Sequence, residues 1–385
     1  MKHVRILHTA DWHLGKIVND YSMIADQRYY LNKLIDQVKH MQLDAFIVAG
    51  DLYDRSLPPK EAVALADEIL TRIIEELQIP VLVTSGNHDS SERLEYGSRL
   101  LTKNQLYIEG TVKETTRKVT IQDTNFYLIP FTEPVLMRQL VQDDQIKTIE
   151  DVTRYQINKI KENLDPTKVN ILIAHGYVIN GTPDSVEDSD SERPLNIGTV
   201  EYIPSELLED FDYVALGHLH KPQKVKHDKI RYSGSLLKYS KSEAMHQKKS
   251  PIIDITKDSL EINYVSVDHL HDMRIIKGTF SELIKGSSTD YIFFELEDEG
   301  IILDPMNQLR RRYPNTMGLE YRNRQESISS KLKHNQSDLE KLSFTDLFTD
   351  FYQDYTQSTL TDDDLTIINE AFEVAERTHN ETHKA

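Results

Sequence analysis

Cysteine is absent from the 385-residue chain. That excludes disulfides and thiolate metal sites, so any bound metal must be held by His, Asp, Glu or Asn. No apolar run approaches the roughly 20 residues of a membrane-spanning helix. The N-terminal stretch MKHVRILHTADWH has a short apolar segment and no small-residue cleavage pattern, so no signal peptide is read there. Together these features predict a cytoplasmic protein. Positive charge is also scarce: 45 Lys and Arg stand against 63 Asp and Glu, a net charge of −18. Taken globally, this disfavours a nucleic-acid surface, because phosphate backbones attract basic faces. The distribution is uneven, however. Between Lys221 and Lys249 there are nine Lys or Arg and two acids, whereas Glu340–Ala385 carries eleven acids and three Lys or Arg. An acidic tail thus accounts for much of the imbalance while a basic face remains.

What is present is the composition of a globular protein, 38% hydrophobic and 28% charged. The length exceeds what one compact domain usually needs. In the first half, short apolar runs alternate with helical spacing. Val4–Leu7, Ala45–Ala49 and Pro80–Thr84 read as buried strands. Between them, Tyr30, Leu31, Leu34, Ile35 and Val38 form one helical stripe, and Ala62, Val63, Ala66, Ile69, Leu70, Ile73, Ile74 and Leu77 form another. The β-α-β-α-β order predicts a layered α/β fold with right-handed crossovers.

Further strands are read at 118–121, 126–129, 169–174, 213–216 and 230–232, and an antiparallel pair at 251–255 and 260–265. The expectation is mixed β-sheets, packed face to face between helices. Asp184–Glu192, with five acids in nine residues, reads as a mobile loop. After about residue 270 the style changes. The expected organisation is a catalytic domain over 1–270, a small α+β domain over 271–324, a polar linker over 325–341, and a helical hairpin over 342–385. In that hairpin Phe344, Leu347, Phe348, Phe351 and Tyr352 share one helical face.

Five short motifs follow predicted strands: Asp11-Trp12-His13, Gly50-Asp51-Leu52-Tyr53-Asp54, Gly86-Asn87-His88-Asp89, His175-Gly176 and Gly217-His218-Leu219-His220. In α/β sheets, ligands bind outside the carboxyl ends of strands, so each strand delivers its polar tail to one shared edge. Asp11, His13, Asp51, Asn87, His175, His218 and His220 together offer four imidazoles, two carboxylates and one amide. That mixed set suits manganese, iron or zinc better than calcium or magnesium. Any single motif reads equally well as a turn or a satisfied core histidine. Five in order on one edge do not. The other ten histidines have no motif context and read as structural or solvated. Trp12, the only tryptophan, reads as packing or as part of a cleft wall.

The order D-x-H, G-D-x-x-D, G-N-H-D, H-G, G-H-x-H resembles the calcineurin-like metallophosphoesterase superfamily. The fuller strings HTADWHLGK, AGDLYDRSLPP, SGNHDS and GHLHKPQ look like its SbcD branch. The resemblance implies two divalent metal ions, manganese above all. Asp51 would bridge them; Asp11, His13 and His220 would complete one site, and Asn87, His175 and His218 the other. It makes His88 the general acid, with the Asp54 carboxylate orienting its ring.

The same resemblance implies a DNA nuclease with 3′-to-5′ double-strand exonuclease and single-strand or hairpin endonuclease activity. It implies a homodimer, and an SMC-like ATPase partner, SbcC, docked on the C-terminal hairpin. Arg310, Arg311 and Arg312 become candidates for phosphate contacts. Two other readings fit less well. A phosphomonoesterase has no use for the basic stretch and long C-terminal extension, and a metal-free scaffold has no need of an intact ligand set.

Overall fold

A computed structural model of the chain describes residues 3–192, 201–298, 300 and 302–322, with 345–346, 348–349, 352, 359–361 and 363–372 beyond them. It divides into two compact units: Met1–Ile275 with Thr289–Phe293, and Ile276–Ser288 with Phe294–Ala385. No helix among the described residues is long and apolar enough to cross a membrane.

The first unit is built on two six-stranded mixed sheets. In the first, β1 (Val4–Thr9), β2 (Ala45–Ala49), β3 (Val81–Thr84) and β4 (Leu106–Glu109) run parallel. In the second, β5 (Arg117–Ile121) pairs antiparallel with β6 (Thr124–Leu128), which runs parallel to β7 (Val169–His175) and β8 (Tyr213–Gly217). The short strands β9 (Gln223–Lys224) and β10 (Ile230–Tyr232) finish that sheet beside β8. The chain then returns to the first sheet, where β11 (Ser250–Ile255) lies antiparallel between β1 and β12 (Leu260–Val265).

Every residue of β2, β3, β7 and β8 is buried. Continuous apolar runs of that kind need cover on both faces. Between the sheets, Ile6, Ala45, Ile47 and Leu82 pack against Phe126, Leu128, Ile171, Ile173 and Ala215. On the far face of the second sheet, Leu172, Val214 and Leu216 meet Ile149, Ile157 and Ile160 of a flanking helix. The crossovers of the first sheet are α1 (Ile24–Val38) and α2 (Lys60–Arg72); α1 buries its expected stripe, whereas α2 buries Ala62, Ala66, Ile69 and Leu70 but leaves Val63, also expected there, exposed.

Two later helices, α3 (Pro134–Val141) and α4 (Ile149–Lys161), go beyond the elements expected from sequence, as does β4. A signal for α4 is there: Thr148 and Asp151 form a reciprocal capping box. By contrast β4 is a four-residue edge strand, too short for alternation to register.

The expectation of a mobile Asp184–Glu192 loop is corrected. The Glu187 N–H donates to Gln223 Oε1 at 2.9 Å, Asp190 N–H to Ser242 Oγ at 3.0 Å, and Glu192 Oε1 accepts the His220 N–H at 2.6 Å. Three of its five acids also meet nearby donors, Glu187 at Lys221, Asp188 at Tyr177 Oη and Glu192 at the His220 N–H, so composition misjudged the segment.

Later in the chain a three-stranded sheet runs in the order β13 (Met273–Gly278), β14 (Tyr291–Leu296), β15 (Thr316–Tyr321). Phe294 and Tyr313 meet edge to face at 5.0 Å in its core. Further along, Thr345 Oγ1 donates to Asn369 Oδ1 at 2.6 Å, and the Phe348 and Phe372 rings meet at 6.2 Å. The expected linker over 325–341 lies outside the described residues, as do Phe344, Leu347 and Phe351 of the expected hairpin.

Candidate metal centre

All five motifs converge where the two sheets meet. The Asp11 N–H donates to Gly50 O at 3.1 Å and the His13 N–H to Asp51 O at 3.0 Å, so the loops after β1 and β2 are zipped together. Across the sheets, the His218 N–H reaches both carboxylate oxygens of Asp11, at 3.0 and 3.1 Å. The turns that aim these side chains are strained. Asp11, His13, Asp51 and His218 all have positive φ, at 52°, 45°, 50° and 115°. Non-glycine residues held there cost on the order of 1–3 kcal/mol each and persist only where the surroundings enforce them. Close approach also explains Gly86: a Cβ there would lie 2.1 Å from Asp51 Oδ1.

Six of the expected ligands, all but Asn87, are buried. His13 Nε2 lies 3.0 Å from His220 Nε2 and 3.6 Å from Asp51 Oδ2. On the other side of Asp51, His175 Nε2 is 3.4 Å from Oδ2 and 2.9 Å from Asn87 Oδ1. His218 Nδ1 is 3.2 Å from the same Asn87 oxygen. Ligand atoms of Asp11, His13 and His220 lie within 4.8 Å of one another, and so do those of Asp11, Asp51 and His175.

The electrostatics of this cluster call for cations. Burial drives Asp11 well above the usual carboxylate range, and the Asp51 charge adds to the rise. Burial would lower His175, yet Asp51 and Asp11 lift it to about 9. His218, His13 and His220 are all pushed down, burial being the largest cause. Neutral imidazoles beside ionised carboxylates are the state in which these groups bind a metal. Buried oxygens and ring nitrogens converging from both sheets therefore fit a divalent metal centre.

His88 is half-buried, and its ring meets that of His13 edge to face at 4.8 Å. Its N–H donates to Asp51 Oδ1 at 2.9 Å. The expectation for Asp54 is corrected. His88 Nδ1 bonds the main-chain oxygen of Asp54, at 2.8 Å, and not its carboxylate. That carboxylate takes Lys16 Nζ at 2.9 Å and faces His13 Nδ1 at 3.7 Å. The turn at 51–54 points the carbonyl, rather than the side chain, at the ring. Trp12 is fully buried, donates its indole N–H to Thr9 Oγ1 at 3.0 Å, and packs on Phe46 rather than lining a cleft.

Much of the basic stretch is committed internally. Lys226 pairs with Glu209 at 2.7 Å, Lys238 with Asp272 at 2.8 Å, and Lys229 donates to Phe211 O at 3.1 Å. Its charge excess is therefore a weaker argument for DNA than the sequence alone made it. Arg310, Arg311 and Arg312 are exposed on the second unit.

Two supporting residues escape a reading of the sequence. Asp89, buried, accepts N–H bonds from Leu52, Tyr53 and Gly86, and burial raises its pKa to about 7. Gln27, fully buried on α1, donates to Trp12 O and His13 O and accepts from the Gly15 N–H. Asp89 sits within one of the five motifs. Nothing marks Gln27 beyond a polar residue on the edge of an apolar stripe.

Comparison with known proteins agrees with this geometry. The profile of the calcineurin-like phosphoesterase family matches residues 4–222, and that of the type 5 capsule protein repressor C-terminal domain matches 269–356. The SbcD subunit of the SbcCD nuclease from Staphylococcus saprophyticus is 36% identical over 363 residues, covering 93% of this chain and 95% of the relative. A dimetal phosphatase from Danio rerio aligns at 12% identity and a TM-score of 0.41, over 69% of this chain and 98% of its own. A predicted phosphoesterase from Streptococcus pneumoniae aligns at 14% identity and a TM-score of 0.31, over 70% and 92%. Those two scores are too low to transfer any residue.

Proposed function

The chain belongs to the calcineurin-like phosphoesterases and, within them, to the family of SbcD nuclease subunits, and from that membership we propose a two-metal DNA nuclease acting with an SMC-like ATPase, SbcC, in DNA repair, recombination and replication. The observation that carries this reading is the position of Asp51, whose Oδ2 lies between His13 Nε2 and His175 Nε2 at 3.6 and 3.4 Å. In it, Asp11, His13 and His220 would hold one ion and Asn87, His175 and His218 the other, with Asp51 serving both. Manganese is the proposed metal, because the set mixes imidazole nitrogen with carboxylate and amide oxygen. Two such ions supply Lewis acidity and charge neutralisation at a phosphodiester.

The chain's own residues supply the rest. His88 Nδ1–H hydrogen-bonds to Asp54 O, which fixes the ring's orientation, and in its imidazolium form the ring would hold a second proton on Nε2 for the leaving oxygen. In this reading Asp54 acts on His88 through its main chain. Cleavage is 3′-to-5′ on double-strand ends, with endonuclease activity on single strands and hairpins. Residues 1–270 form the nuclease domain and 271–324 serve DNA access, with Arg310, Arg311 and Arg312 as phosphate contacts. A linker at 325–341 leads to an ATPase-binding hairpin at 342–385; the contacts of Thr345 with Asn369 and of Phe348 with Phe372 support a paired helical segment there. A homodimer is also proposed, supported by exposed Val63, Tyr96 and Leu100 on the first unit.

The test is hydrolysis of end-labelled duplex and hairpin DNA with manganese. His88→Ala is expected to lose about 10²–10⁴-fold in rate while still binding metal. Asp51→Asn is expected to lose both cleavage and tight metal binding. Robust hydrolysis of a small phosphomonoester, with no DNA cleavage even beside the ATPase, would overturn the nuclease reading.

A further inference from the structure

Behind His220 lies an ion pair with no exposure to water. Glu243 and Lys248 are 0% exposed in their side chains, and Lys248 Nζ stands 2.5 Å from Glu243 Oε2. Removing two charges from water costs more than their attraction reliably returns, and apolar residues of similar volume often serve stability as well or better. The pair therefore calls for an explanation beyond packing.

Its bonds supply one. Glu243 Oε1 lies 3.1 Å from His220 Nδ1, and Ser191 Oγ, 2.7 Å from the same nitrogen, donates its hydroxyl to that carboxylate. Lys248 Nζ donates to His220 O at 2.8 Å and to Ser235 Oγ at 2.8 Å. The Ser235 N–H meets the same His220 oxygen at 3.1 Å. One ion pair thus grips the ring of His220 through its acid and the main chain through its base. A carboxylate facing Nδ1 makes that nitrogen the donor. The lone pair is then on Nε2, the atom 3.0 Å from His13 Nε2. His13 has a looser version of the same backing, with the Asp54 carboxylate 3.7 Å from its Nδ1 and Lys16 2.9 Å from that carboxylate. His175 Nδ1 instead meets the Ala49 carbonyl at 2.9 Å, with the Asp11 carboxylate 4.0 Å away.

We propose that Glu243 and Lys248 are positioning residues of the metal centre, fixing the tautomer, rotation and backbone of His220 so that Nε2 is presented to one of the two cations. Glu243 orients the ring. Lys248 keeps the carboxylate compensated and anchors the turn. Neither touches substrate or metal. The inference rests on the reading of His220 as a ligand.

The test is calorimetric titration of the chelator-treated full chain with manganese chloride. The variant Glu243→Gln/Lys248→Met removes both charges without leaving either alone in the interior. The wild type is expected to take up two ions. The double variant should keep one at wild-type affinity and bind the other ten- to a hundredfold more weakly, the usual effect of losing an outer-shell partner. Its metal-free melting temperature should stay close to that of the wild type. If the double variant does not fold, Glu243→Gln alone is titrated in the same way, with the same expectation. Two ions bound at wild-type affinity would overturn the proposal and leave the metal centre standing. So would an equal weakening of both ions alongside a lowered metal-free melting temperature, which marks a purely structural pair. A wild type that binds no ion would overturn the proposal together with the ligand reading beneath it.

Discussion

His8 and His175 are both buried histidines on strands of the same unit, and their surroundings shift them in opposite directions. His175 faces two carboxylates and is raised to about 9. His8 faces none. It accepts from Tyr213 Oη at 2.9 Å, donates to Leu216 O at 3.1 Å, and burial lowers it to about 3. It thus joins β1 to β8 as a neutral ring. The unfolded chain protonates His8 near its ordinary 6.5, whereas the folded chain resists down to about 3. The unfolded state therefore binds more protons in that window, and stability falls as pH drops from 6.5 towards 3. Between pH 6.5 and 5 this one ring should withdraw about 2 kcal/mol. Urea denaturation of the chelated protein at both pH values should show His8→Asn losing that much less than the wild type. Parallel losses would mean that His8 does not carry the linkage. The sequence named the ligand types because their motifs repeat a fixed order. It could not show that Asp54 presents its carbonyl to His88, since that depends on backbone torsion at residues 51–54.

Elements were legible where burial made the signal long. The runs Ala45–Ala49 and Val169–His175 are buried throughout, and α1 and α2 repeat their stripes over three turns or more. What escaped was short, like β4, or held by side-chain bonds, like the acidic segment over His220. Helix α1 does more than cover a sheet. Through Gln27 it clamps the loop bearing His13, which stands at φ 45°. Gln27→Leu would strand the Gly15 N–H and strip one bond each from Trp12 O and His13 O. The carbonyls keep other donors, Tyr239 Oη for Trp12 and the Lys16 N–H for His13. The expected cost is on the order of 2–3 kcal/mol in urea denaturation of the chelated protein. Manganese affinity should fall as well, because the loop is freed to relax its left-handed turn. An unchanged midpoint with unchanged affinity would show that the strained loop holds itself.

At the scale of the whole molecule, the two sheets close on each other at an edge crowded with acids and histidines. Their shared core is apolar, but Asp11 and Asp51 raise the cost of that edge by mutual repulsion. Main-chain donors such as the His218 N–H offset it. Cations that bind here bind the closed sandwich and not the unfolded chain, since the donors come from five loops far apart in sequence. Ligand binding to the native state alone stabilises by about 2.7 kcal/mol per site at a hundredfold excess over Kd. For a unit of this size that is a rise of roughly 5–10 °C in melting temperature for each ion. Calorimetry with manganese against chelator should show that rise in the wild type and lose most of it in Asp51→Asn, the residue both sites share. A melting temperature indifferent to manganese would mean that the acids and histidines at this edge are held by proton sharing and hydrogen bonds alone. In that case the strain at Asp11, His13, Asp51 and His218 would serve no metal.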